Sequence, residues 1–129
     1  MAKARVLAFL LCDSATRDRD GKVTLHGLFD RIIAPRTLRE VKLFFVYYRV
    51  VVEEACAVAL RVTDPGGDEV VGNWRDSLTA LGPMQTVWAL SSTLFKQPGP
   101  YALELMQENG DSEPLSLAQM RLTVEEREE

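Results

Sequence analysis

Short apolar runs separated by turn residues dominate the chain, and most of them alternate with period two. Residues 6–12 are apolar on both parities, the pattern of a strand covered on both faces. In the segment 17–22, Asp20-Gly21 can supply the positive φ angles of a tight hairpin. The strand expected over 23–33 puts Val23, Leu25, Gly27, Phe29 and Arg31 on one face and Thr24, His26, Leu28, Asp30 and Ile32 on the other. Gly27 in mid-strand implies a bulge or a close backbone approach. Beyond a break at Ala34-Pro35-Arg36, residues 41–52 form the longest apolar run. Its faces are Val41, Leu43, Phe45, Tyr47 and Val51 against Phe44, Val46, Tyr48, Val50 and Val52. Aromatic and β-branched side chains on both faces define a strand. One face meets the core; the other needs a loop, a neighbouring strand or a partner chain to cover it.

Residues 55–63 alternate cleanly, with Cys56, Val58, Leu60 and Val62 on the apolar side. Asp64-Pro65-Gly66-Gly67-Asp68 is a turn, because proline presets one φ and glycine permits the positive one. Strands are expected over 69–74, 85–95, 101–107 and 117–124, with an irregular stretch over 78–84 and turns at 97–100 and 109–111. The sum is about eight strands at sandwich spacing. The fold class is all-β: an antiparallel two-sheet β-sandwich of immunoglobulin-like or jelly-roll type. It forms a single domain over 1–124, followed by a frayed acidic tail over 125–129.

With 129 residues the chain has the length of one domain. It contains no apolar run of about 18 residues, so no membrane-spanning helix is expected. Fifteen Lys and Arg face nineteen Asp and Glu, for a net charge of -4. The basic residues are scattered and broken by acids, as in Arg17-Asp18-Arg19-Asp20, which argues against nucleic-acid binding. Cys12 and Cys56 read as reduced thiols rather than a bridge, since unpaired cysteine is among the most buried residue types. The start, Met1-Ala2-Lys3-Ala4-Arg5 followed by Val6 to Cys12, imitates a short signal peptide, but the same apolar run fits a first strand, and a cytoplasmic location is expected.

Three stretches carry a resemblance. They are Phe9-Leu10-Leu11-Cys12-Asp13, then Asp20-Gly21-Lys22-Val23-Thr24-Leu25-His26-Gly27-Leu28-Phe29-Asp30, then Val62-Thr63-Asp64-Pro65-Gly66-Gly67. Together they resemble a family of small bacterial proteins of unknown function. In that family an N-terminal strand ending in Cys-Asp precedes a Gly-Lys hairpin and a Gly-Phe or Gly-Tyr strand. The resemblance implies a bacterial, cytosolic, all-β domain and carries over no activity and no functional residue.

Chemistry-bearing residues are few. His26 is the single histidine, so a hydrolase would pair it with Cys12 or a serine, with Asp13 or Asp30 as the orienting acid. A strand histidine beside polar neighbours is more simply a solvated one, and no Gly-x-Ser-x-Gly elbow exists. One histidine and two distant cysteines form no zinc site, and the loop at 16–21 lacks the anchoring carboxylates of a calcium loop. No phosphate-binding glycine motif is present. No metal, cofactor or catalytic residue is therefore assigned. The feature above background is apolar: Phe44, Tyr47 and Tyr48 are the candidates for an interface with a protein partner or a second copy. Trp74, between Asn73 and Arg75, is the candidate for a small-ligand or carbohydrate groove, whereas Trp88 falls in register with Leu90 and Leu94 as core. The expected function is a non-catalytic sandwich module acting through protein contacts or self-association.

Overall fold

The longest apolar run becomes an interior strand with neighbours on both sides. The computed structural model describes residues 1–35 and 43–127; Arg36, Val41 and the last two residues of the expected tail lie outside them. The described residues form ten strands: β1 (Ala4–Arg17), β2 (Val23–Leu28), β3 (Arg31–Pro35), β4 (Leu43–Val52), β5 (Cys56–Thr63), β6 (Glu69–Val70), β7 (Arg75–Leu78), β8 (Gly82–Ser91), β9 (Gly99–Asn109) and β10 (Ser112–Arg127). A four-stranded sheet has the order β2-β1-β4-β8. A six-stranded sheet has the order β3-β10-β9-β5-β6, with β7 also pairing β5. The two-sheet sandwich is as expected; the count is ten rather than eight. The ladders are antiparallel, with one departure from expectation: β3 lies parallel to β10.

The extra strands arise where a continuous run is split. The segment expected as one strand over 23–33 leaves the four-stranded sheet after Leu28 and joins the six-stranded sheet at Arg31. The corner is held by backbone bonds from Phe29 N–H to Leu11 O (3.2 Å) and from Thr123 N–H to Asp30 O (3.0 Å). The run expected over 69–74 stops at Val70, and the chain re-enters the sheet as β7. β8 starts earlier than expected and gives way to a short 3-10 turn, Ser92–Leu94, capped by the Ser91 hydroxyl. Residues 125–127, expected to fray, continue β10, because β3 pairs with them through Ile33, Ala34 and Pro35.

The core lies between the sheets. From β4 it takes Phe44, Val46, Tyr48, Val50 and Val52; from the opposite sheet it takes Val58, Leu60, Val62, Leu103, Leu105 and Leu122. Burying each such side chain contributes about 1.5–3 kcal/mol. The aromatic rings interlock: Phe44 meets Phe29 at 5.5 Å and Phe95 at 5.2 Å, and Tyr48 meets Trp88 at 4.8 Å between centroids. Two buried polar groups tie the layers. The Tyr48 hydroxyl donates to Asp76 Oδ2 on β7 across the sandwich (2.6 Å). Burial, and then the Asp76 carboxylate, push this phenol far above its ordinary range, so it stays a donor. Gln107, fully buried on β9, accepts from Lys3 N–H (2.6 Å) and donates to Met1 O (3.1 Å) and Asn109 Oδ1 (2.9 Å). It pins the segment that leads into β1.

The hairpin of β1 and β2 has a special shape. Among the described residues, β1 pairs with β4 from Ala4 to Cys12, and from Ser14 to Arg17 it pairs with β2 alone. At the change-over Gly27 has φ +69, and a Cβ there would run into the Asp13 carboxylate. The free half of the hairpin then reaches β8. The Arg17 guanidinium donates to Gln85 O (3.4 Å), and Gln85 Nε2 donates to Gly21 O (3.3 Å). The Tyr47 hydroxyl donates to Oε1 of the same glutamine (2.5 Å). The hairpin tip thus lies over the outer face of the four-stranded sheet and covers Tyr47.

Gly27→Ala is expected to destabilise the fold by about 1–3 kcal/mol, because it combines a left-handed φ with a clash against Asp13. Urea unfolding of the variant beside the unmodified protein measures it; an unchanged midpoint would show that the bend is not constrained by this glycine.

Candidate functional site, an apolar cleft beside the first strand

The two outer faces differ in chemistry. The face of the six-stranded sheet carries cross-strand ion pairs: Arg61–Glu104 at 2.9 Å, Arg75–Glu108 at 2.7 Å and Arg31–Glu125 at 3.5 Å. Between them stand the half-buried Ala57 and Ala59 and the buried Met106, which pairs with Ala59. The Arg61 guanidinium holds the Glu104 carboxyl below its ordinary range, and Arg75 does the same for Glu108.

The face of the four-stranded sheet carries an apolar patch, with Arg49 beside it. Pairing aligns Leu28, Cys12, Phe45 and Ala89 in one row across it, and Leu10, Tyr47 and Val87 in the next. The hairpin tip covers only part of this surface. Leu28 remains 61% exposed, Leu43 59% and Leu10 38%.

Leu10 and Leu28 lead into a cleft of about 390 Å³ at the open side of the sandwich, where the chain passes from β2 to β3. Phe9, Leu11, Phe29 and Met120 complete its apolar wall, and Asp30 and Arg121 add one acid and one base. Both charged residues are exposed. An opening of this kind, apolar within and bearing a few placed polar groups, suits an apolar side chain better than a charged ligand. Its ionisable lining groups are the Asp30 carboxylate and the Arg121 guanidinium, with no serine, cysteine or histidine among the lining residues.

The residues singled out from the sequence fall elsewhere. Phe44 and Tyr48 are in the core, and Tyr47 is 7% exposed beneath the hairpin tip. The expected interface strand therefore presents none of its three candidate residues to a partner, since the second sheet covers Phe44 and Tyr48 and the hairpin tip covers Tyr47. Trp74 is no open platform: its ring packs over Gly72, and its indole N–H donates to Ala89 O (2.9 Å). It closes the sandwich on the side opposite the cleft. Trp88 is core.

Cys12 and His26 do not form a catalytic pair. In the ladder Cys12 stands opposite Leu28, while the exposed His26 stands opposite Ser14. Cys12 is fully buried, and burial, together with the neighbouring Asp13, raises its thiol pKa, the reverse of what a thiolate nucleophile requires. Both cysteines are free. Among the described residues no three His, Cys, Asp or Glu side chains converge on a metal position, and no helix is long and apolar enough to cross a membrane.

Leu10, Leu28, Met120 and Arg121 were not foreseen as a site. One clue was present for Leu28: it shares a strand face with the polar Thr24, His26 and Asp30.

Residues 7–123 match the model of a family of unknown function, DUF6941, and the chain belongs to that family. No curated protein matches the sequence. Among solved structures, the fold is similar to the C-terminal domain of wzt, with 12% identity over 96% of this chain and 74% of that one and a TM-score of 0.57. An immunoglobulin-like protein from Pseudomonas aeruginosa aligns over 95% of this chain and 97% of its own at 13% identity, with a TM-score of 0.45. A beta-glucosidase from Listeria innocua in complex with glucose aligns over 92% of this chain and 16% of its own at 12% identity, with a TM-score of 0.47. At these identities the first likeness is one of fold.

The ion-paired face sets an acid limit. Glu104 and Glu108 titrate lower in the folded than in the unfolded chain, so their contribution is present above the ordinary carboxylate pKa and is lost as pH falls through their folded values. Stability is expected to decline below about pH 4.5. The decline is expected to be shallower in Glu104→Gln, whose partner Arg61 is only partly exposed. Thermal unfolding between neutral and acidic pH checks this; identical slopes for the two proteins would contradict it.

Proposed function

We propose that this protein is a non-catalytic β-sandwich module that works by contact through the cleft between β1–β2 and β10, and that the occupant is a second copy of the chain. The supporting observation is the mouth of the cleft. Two exposed leucines stand at an apolar opening that also carries one acid and one base. In a two-fold interface residue i of one copy meets residue j of the other, and j meets i. Asp30 of one copy then faces Arg121 of its partner, and the pair is repeated by symmetry. Leu28, itself protruding, supplies the apolar side chain that enters the facing cleft. The ion-paired outer face of the other sheet offers no such self-complementary apolar surface.

This reading is favoured over hydrolysis, because Cys12 is buried with its thiol pKa raised and His26 stands opposite Ser14, not Cys12, in the ladder. It is also favoured over ligand binding at Trp74, whose ring and indole N–H are both engaged within the fold.

Sedimentation equilibrium over a concentration series tests the proposal. Self-association is expected for the unmodified protein. Leu28→Glu is expected to weaken it at least roughly thirtyfold, about 2 kcal/mol, the scale of a central contact residue. Asp30→Arg is expected to weaken it, and Asp30→Arg with Arg121→Asp to recover most of the loss. A protein that stays monomeric throughout, or a double exchange no better than the single one, would overturn the proposal.

A further inference from the structure

A second feature, independent of the cleft, lies at the other side of the same sheet. Among the described residues β8 is an edge strand of the four-stranded sheet, paired with β4 along ten positions from Gly82 to Ser91. None of those residues is charged. An edge strand of this length normally carries lysine, charge or a central proline, which prevent a second chain from adding to it. Here the only proline, Pro83, stands near the start.

Blocking is supplied instead by two side chains from other parts of the fold. The indole N–H of Trp74 donates to Ala89 O (2.9 Å), and the Arg17 guanidinium donates to Gln85 O (3.4 Å). Gln85, Val87 and Ala89 share one parity, and in an antiparallel ladder residues of one parity turn both backbone groups the same way. Because the carbonyls of Gln85 and Ala89 are reached from outside the β4 ladder, this parity faces the open edge. The two acceptors lie symmetrically about Val87. An antiparallel pairing of two β8 strands with its two-fold axis at Val87 would align Gln85 of one copy with Ala89 of the other. It would require the same two carbonyls that Arg17 and Trp74 now occupy.

We propose that β8 is a gated strand-addition edge, that its occupant is the β8 strand of a second copy, and that Trp74 and Arg17 are the gate. The absence of charge is what makes a copy of β8 a fitting occupant: identical uncharged strands meet without the like-charge opposition that destabilises cross-strand pairs. Strand addition of this kind draws its affinity from main-chain hydrogen bonds. The gate acts by holding the acceptors on which the register depends. Arg17 belongs to the tip of the β1–β2 hairpin, so lifting that tip off Gln85 both uncovers Tyr47 and releases one end of the edge.

The test uses the full chain with Leu28→Glu, which removes association through the cleft and keeps the two proposals separable. Trp74→Phe keeps a ring over Gly72 and deletes the donor; Arg17→Ala deletes the other. Added together to the Leu28→Glu protein, they are expected to tighten dimerisation at least roughly tenfold by sedimentation equilibrium. Arg17→Ala alone, an exposed change that leaves the packing intact, is expected to give a smaller increase in the same direction. Val87→Cys in the opened protein is expected to yield a disulfide-linked dimer under mild oxidation, with none from the same protein lacking that cysteine. Val87→Pro, which removes an outward N–H, is expected to abolish the gain. The proposal is overturned if the opened protein associates no more tightly than its Leu28→Glu parent. It is equally overturned if the gain survives Val87→Pro or leads to open-ended aggregates instead of dimers.

Discussion

Apart from the exposed Arg49, β4 is apolar on both faces, and that demand shapes the rest of the molecule. A strand bearing Phe44, Val46, Tyr48, Val50 and Val52 on one side and Phe45, Tyr47 and Val51 on the other cannot be an ordinary half-solvated sandwich strand. Its first face is met by β5, β9 and β10. Its second is met by its own sheet, through the long β1–β2 hairpin whose tip settles on Gln85 and Tyr47. The bend at Asp13 and Gly27 accompanies this arrangement: glycine is the residue that accepts both the left-handed φ and the carboxylate pressed against it. The hairpin is narrower than the sheet it covers, and the uncovered remainder, Leu10, Leu28 and Leu43, is the apolar surface left for a contact.

Much of this was legible in the residues. Period-two alternation placed the strands over 55–63 and 101–107, and the turn chemistry of Asp64-Pro65-Gly66-Gly67 and Asn109-Gly110 located their ends. Gly27 announced a close backbone approach, and Asp13 provides it. The need for a cover over the second face of β4 was also visible. Its source was not, because a hairpin tip and β8 are far apart in sequence and only the fold joins Gly21 to Gln85. The same limitation moved the functional surface. Tyr47 and Tyr48 have the composition of interface residues, yet Tyr48 spends its hydroxyl on Asp76 and Tyr47 on Gln85. Local pattern reports that an aromatic wants a polar partner; it does not report which strand supplies one.

Strand splitting follows the same logic. Residues 23–26 alternate and the pattern then slips at Leu28-Phe29 and Asp30-Arg31, but a slip in alternation does not by itself distinguish a bulge from a corner between sheets. The change of sheet at Phe29-Asp30 was decided by partners distant in the chain, Leu11 on one side and Thr123 on the other. That corner also opens the cleft, since one chain crossing between the layers cannot seal the whole side of a sandwich. On the opposite side the Trp74 indole and the Tyr48–Asp76 bond hold the layers together. The two sides of one sandwich are thus closed by different means, one with side chains and one with a chain crossing, and the cleft is on the side closed by the crossing.

The central claim is that the surface left uncovered beside β1 is the one that meets a second copy. Amide hydrogen exchange followed by mass spectrometry at low and high protein concentration addresses it without any substitution. Peptides containing Leu10, Leu28 to Asp30 and Met120-Arg121 are predicted to become more protected as concentration rises, with the ion-paired face of β5 and β9 unchanged. Equal exchange at both concentrations across those three peptides, or protection appearing on the ion-paired face instead, would contradict it.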